Sequence, residues 1–172
     1  WGLVLAYVAV AINTTVASVA LPPISRALVV NSEQLTWIVN CTPLAASAFM
    51  LFGGHWASQY GFRRILVIGL SILTVSAVGA SMVVDVNTLI AFRTFSGFGS
   101  ALVMPSALVL AYQVVDESRR RTAIGLVTAA QAIGGLLGPL LAGYLITTVS
   151  WRAALLSVAP LLLVSILIVY SE

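Results

Sequence analysis

The chain has 172 residues, of which 60% are hydrophobic and 8% charged, with net charge +3 and a single cysteine; its mean hydropathy is +1.09. So few charges cannot cover a water-exposed domain, which carries about 25%, and seven of the eight basic residues, all Arg, are scattered over short breaks rather than gathered into a patch for nucleic acid. The lone Cys41 excludes a disulfide framework within the chain, and it reads as a small packing residue.

A membrane-spanning helix needs about 20 predominantly apolar residues, and six windows qualify. Span 1 is predicted over Gly2 to Leu21, closed by Pro22 and Pro23. Span 2 covers Thr36 to Ala57, span 3 Ile65 to Val84, and span 4 Thr88 to about Val114. Span 5 covers Ala123 to Val149 and span 6 Ala153 to Tyr170. The short breaks between them force neighbours to run antiparallel. An all-α membrane bundle follows, since backbone groups in lipid must be satisfied internally. The chain opens at Trp1 with neither a polar tail nor a basic leader, so the sequence reads as a fragment.

The breaks after spans 2 and 4 hold Arg63, Arg64, Arg119, Arg120 and Arg121, whereas the alternate breaks hold Arg26 and Arg152. The positive-inside rule places the first set, and with it both chain ends, in the cytoplasm. One shift along the sequence lays Gly54 on Gly143, Phe62 on Trp151 and Arg63 on Arg152. The repeat unit is therefore three spans, about 1–84 and 88–170. An odd unit turns its second copy upside down, as in the 3+3 inverted repeats of secondary transporters.

Catalytic chemistry finds no support. The one histidine, His55, sits at a predicted membrane edge, and no Cys/His cluster has metal-ligand spacing. No cofactor or metal is expected, and the chain does not read as an enzyme. Arg93 is different. An Arg inside a span faces a cavity, a partner or a pathway, or else snorkels to the interface. Ser96, Gly97 and Ser100 share its helix face, which points to a cavity wall and equally permits close packing. Asn13, Thr14 and Thr15 in span 1, and Asn40 and Thr42 in span 2, are candidates for substrate contact or for interhelical hydrogen bonds. Gly134 and Gly138 form a Gly-x-x-x-Gly step, and Pro139 can kink span 5; Gly143 follows one turn later. No Asp or Glu falls within a predicted span.

Together these motifs resemble the major facilitator superfamily, most closely its fourteen-span drug:proton antiporters, over essentially the whole chain as an amino-terminal six-span half. Gly54, Ala57, Gly61, Arg63 and Arg64 match the family's loop between spans 2 and 3, with Ser58 where the family has Asp. Leu89 to Ala101 is similar to the span 4 motif around Arg93, with Ser96 replacing a Gln. Gly134 to Gly143 is similar to the span 5 antiporter motif, and Asn13 stands in place of an acid in the span 1 motif.

The resemblance implies a secondary transporter in the plasma (inner) membrane, exporting drugs or other small hydrophobic compounds by alternating access. Asn13, Thr14, Asn40, Arg93, Ser96 and Gly97 would line its pathway. Gly54, Ser58, Gly61, Arg63 and Arg64 would form its cytoplasmic gating loop. The implied partners are a small-molecule substrate, the lipid bilayer, a missing carboxy-terminal half, and protons if coupling survives the loss of acid at Asn13 and Ser58. Two alternatives stay open at this stage: a transport-inactive relative, and a facilitator of anionic solutes.

Overall fold

A computed structural model describes residues 2–28 and 30–171; Trp1, Val29 and Glu172, which the sequence reading includes, lie outside the described residues. Among the described residues six helical segments are long and apolar enough to cross a membrane. They are α1 (Gly2–Ala27), α2 (Ser32–Tyr60), α3 (Phe62–Met82), α4 (Val86–Gln113), α5 (Arg120–Thr148) and a last span divided into α6 (Trp151–Leu156) and α7 (Val158–Ser171).

The helix ends follow from local chemistry. Asn31 and Gln34 form a reciprocal capping box at the start of α2. Asp85 accepts from the Thr88 amide at 2.9 Å to cap α4. The Thr88 hydroxyl and amide hold the Asp85 carboxyl below its ordinary value. The cap is therefore fully engaged above about pH 4, the ordinary Asp value, and is lost as pH falls through its depressed one. Ser150 caps α6 through the Ala153 amide. Between α2 and α3 a single residue turns the chain. Gly61 has φ +96°, the only positive φ among the described residues, and its amide still bonds the Ala57 carbonyl at 3.0 Å.

Most helix ends fall a few residues from the predicted span ends, and two differences go further. Pro22 and Pro23 do not end span 1; α1 continues through both to Ala27. Their missing N–H groups leave two carbonyls free, but Ile24 is 1% exposed and Leu28 closes the next turn onto its carbonyl at 2.9 Å, so packing carries the helix on. The last span, expected to be continuous, breaks at Ser157. Pro160 has no N–H for the Leu156 carbonyl, and the helix restarts one residue later.

In the bundle α1 lies along α5 and α2 lies along α4, while α3 packs against α4 and the last span. The first two pairings exchange when the two three-span units are exchanged, which is the relation expected of the repeat. Both depend on glycine. A Cβ on Gly53 or Gly97 of the α2–α4 pair would overlap the carbonyl oxygen of Ala101 or Thr42 respectively. Pro105 sharpens the first contact, because it has no N–H to occupy the Ala101 carbonyl. In the α1–α5 pair a Cβ on Gly134 would come within 2.6 Å of the Val8 carbonyl oxygen, and one on Gly138 would overlap the Thr15 hydroxyl. With no water to expel between helices in lipid, such close backbone packing is a main source of association.

Two arginines lock the ends. At the Arg-rich end Arg63 donates to the carbonyls of Val169 and Tyr170 at 2.6 and 2.9 Å. At the other end Arg152 donates to the Val83 carbonyl at 2.8 Å, and its guanidinium lies 4.5 Å from the centre of the Trp151 ring. Each arginine opens the third span of one repeat and satisfies carbonyls at the end of the third span of the other. A cation is favoured at such a terminus.

Gly61→Ala should lower stability by about 1–3 kcal/mol, since an L side chain is strained at this φ. Arg63→Ala and Arg152→Ala should each cost roughly 1 kcal/mol or more through the freed carbonyls, with Lys restoring only part because it lacks the planar fork. Thermal unfolding in detergent measures all three.

Candidate functional site

Four of the six residues assigned to the pathway gather at the crossing of α1 and α4. Asn13 Nδ2 donates to Ser96 Oγ at 2.6 Å, and Arg93 Nη1 donates to the Asn13 carbonyl at 3.0 Å. Thr42 Oγ1 on α2 donates to the Arg93 carbonyl at 2.9 Å, one helical turn from where Gly97 presses on the Thr42 backbone. Ser100 donates back to the Ser96 carbonyl at 3.1 Å. Arg93 is 2% exposed. It therefore neither snorkels to the interface nor lines an open wall; this chain's own helices cover it.

The other two lie elsewhere. Thr14 donates to the Ala11 carbonyl of its own helix at 2.8 Å, and Asn40 is on the exposed side of α2, with Trp37 and Leu44. The gating-loop residues also separate. Ser58 donates to the His55 carbonyl at 2.7 Å, Arg63 is committed to α7, and Arg64 is exposed beside Tyr60 and Ile68. A Cβ on Gly54 would meet only the Pro105 ring, at 3.9 Å. In span 5, Gly134 and Gly138 face α1, whereas a Cβ on Gly143 would meet nothing within 4 Å; Pro139 is exposed.

A feature the motifs did not reveal is an open cleft of about 350 Å³ towards the Arg-rich end of α1, α2, α4 and α5. Tyr7, Met50, Met104, Leu108, Thr128 and Gln131 are among its walls. The Tyr7 hydroxyl is tied to the Met104 carbonyl at 2.7 Å and the Thr128 hydroxyl to the Ile124 carbonyl at 3.0 Å, which leaves the Gln131 amide as the main polar group of a soft, apolar surface. The available sequence signal was Gln131, an amide well inside span 5. The flanking α2 and α5 are the least covered spans, each only 22% buried, against 50–56% for α1, α3 and α4.

This is the architecture of a multi-pass membrane protein. The sequence matches the Major Facilitator Superfamily model over residues 3–171, and the chain belongs to that superfamily. It is 36% identical to the cephamycin export protein of Amycolatopsis lactamdurans over 91% of this chain and 32% of that protein. It is 30% identical to the methyl viologen resistance protein of Salmonella typhimurium over 94% of this chain and 33% of the relative. The chain thus spans about a third of the length of the curated relatives it matches. Among solved structures a D-xylose-proton symporter superposes with TM-score 0.88 at 17% identity, covering 99% of this chain and 47% of the other; that likeness shows the shared fold.

Gly97→Ala and Gly134→Ala should each destabilise by about 1–3 kcal/mol, because backbone rather than a yielding side chain stands where the methyl must go. Asn13→Ala should cost a further amount of about 1 kcal/mol, the usual worth of a buried hydrogen bond. Denaturation midpoints of the purified protein check both.

Proposed function

We propose that the chain is the amino-terminal half of a secondary transporter that exports small hydrophobic compounds by alternating access, driven by protons. The observation that carries this reading is the soft apolar cleft between α1, α2, α4 and α5, flanked by two apolar helices left largely uncovered. A second six-helix half fits over those helices and closes the cleft into a midplane site. The export and resistance proteins that share its sequence support a drug-like substrate.

In this reading the two three-span units are about 1–84 and 88–170. The breaks carrying Arg63, Arg64 and Arg119 to Arg121, together with both chain ends, face the cytoplasm of a plasma membrane. Gln131 and Asn40, exposed on α5 and α2, offer polar contacts to a passing substrate. Arg93, Asn13, Ser96 and Gly97 form the outer hinge, coupling movement of α1 to α4 through the Asn13 carbonyl and the Asn13–Ser96 hydrogen bond. The carboxylate that takes the proton belongs to the second half, because Asn13 and Ser58 do not titrate in the working range. Gly54, Ser58, Gly61 and Arg64 form the cytoplasmic link, with Arg63 fixing its position. Gly134, Gly138, Pro139 and Gly143 let α5 lean on α1. An anion path is the weaker reading, because Arg93 is covered by the half that carries it.

The test is efflux of a fluorescent lipophilic cation from proteoliposomes holding the full-length protein. Efflux should follow an imposed pH gradient, and Arg93→Ala should slow it at least about tenfold, equivalent to about 1.4 kcal/mol of barrier. Unchanged transport in that variant sinks the hinge role, gradient-independent efflux sinks proton coupling, and no transport at all favours an inactive relative. For orientation, Ser118→Cys should react with an impermeant maleimide from the cytoplasmic side only and Val149→Cys from the outside only; the reverse pattern overturns the assignment.

A further inference from the structure

Arg93 presents an unsolved charge problem. Only Nη1 has a protein acceptor; Nε and Nη2 are buried and make no hydrogen bond to any described residue, and the same is true of the Ser76 hydroxyl. Arg93 and Ser76 are 2% and 1% exposed. They face one small void between α1, α3, α4 and α6, lined also by Asn13, Ala80, Phe92 and Leu155. It has room for a single water-sized guest. No carboxylate lines it, and Glu33, Asp85, Asp116 and Glu117 all lie at helix ends or in breaks. A guanidinium buried at membrane depth without a counter-charge is costly.

A second half of the protein offers no remedy, because Arg93 is already covered by helices of this chain, so an acid docking from outside finds no path to it. A water molecule would satisfy the donors and leave the charge. The geometry points to a resident monovalent anion of halide size, gripped by Nε–H and Nη2–H of Arg93 and by the hydroxyl of Ser76. The void is too small for phosphate or an organic carboxylate, and chloride, though larger than water, is the common anion nearest to it in size. Charge-assisted donors of this kind are the strong ones, and the apolar walls of Ala80, Leu155 and Phe92 keep the field unscreened. The ion would serve as a fixed counter-charge for the α1–α4 crossing and not as cargo. This inference stands apart from the transport reading, since its readouts do not involve transport.

The experiment uses purified full-length protein with bromide in place of chloride. Crystals should show an anomalous bromide peak in contact with Arg93 and Ser76. The thermal midpoint should rise saturably with bromide or chloride and fall back in gluconate. Ser76→Ala should weaken the half-saturating halide concentration about tenfold, as loss of one hydrogen bond to a charged group does, and Arg93→Gln should abolish the halide response. Should Arg93→Gln not fold, the bromide peak and Ser76→Ala still decide. A site holding only water, with no anomalous signal and the same midpoint in gluconate, overturns the proposal.

Discussion

Everything in this structure depends on how closely two pairs of helices approach. Lipid tails are as apolar as leucine, so burying a side chain between helices gains little from the solvent. The gain must come from contact at short range and from polar groups that find each other. Gly53 and Gly97 let α2 sit on the backbone of α4, and Gly134 and Gly138 do the same for α5 on α1. Once the backbones touch, short side chains suffice to bridge them, which is why Asn13, Ser96 and Thr42 can tie α1, α2 and α4 with direct bonds. Larger residues at the crossings would move those partners beyond reach.

The two pairings also explain what remains uncovered. The α1–α5 and α2–α4 contacts use one side of α5 and of α2, leaving their other sides apolar and exposed. The bundle therefore has a packed interior, a soft cleft on one side and an uncovered apolar surface on α2 and α5. The arginines at the ends act in the same sense. Arg63 and Arg152 hold the third and sixth spans against each other, so that pair is fastened at both ends. A bundle tied at that pair and close-packed in its middle is suited to move as one body, as the proposed rocking mechanism requires.

The polar cluster around Arg93 shows the cost of placing charge in such a unit. Its hydrogen bonds run to carbonyls and hydroxyls, so they orient the guanidinium without neutralising it. Asn13 holds Ser96 but brings no charge. The cluster is therefore a strong connector between helices and an electrostatically incomplete one. Its remaining donors converge on a void rather than on another side chain.

Much of the fold was legible in the sequence because hydropathy, loop length and antiparallel succession are local properties. Six apolar runs with short breaks leave few alternatives, and the spacing of Gly54, Gly61, Arg63 and Arg64 carries the family resemblance. The Gly134 to Gly138 step was legible as a contact, though not its partner. Where the reading failed, a distant contact had overridden a local rule. Pro22 and Pro23 read as a stop, but the burial of Ile24 holds the helix through them. Arg63 and Arg152 read as orientation signals and repeat marks, and each proves to hold carbonyls that lie 106 or 69 residues away along the chain. The cleft of Met50, Met104 and Gln131 left no motif, because its walls come from four helices and exist only once these are packed. The sequence alone determined the spans, their alternation and the family, since these depend on composition along the chain. Only the tertiary structure decided which polar groups meet and which stay unpaired, because that depends on how closely helices distant in sequence can approach.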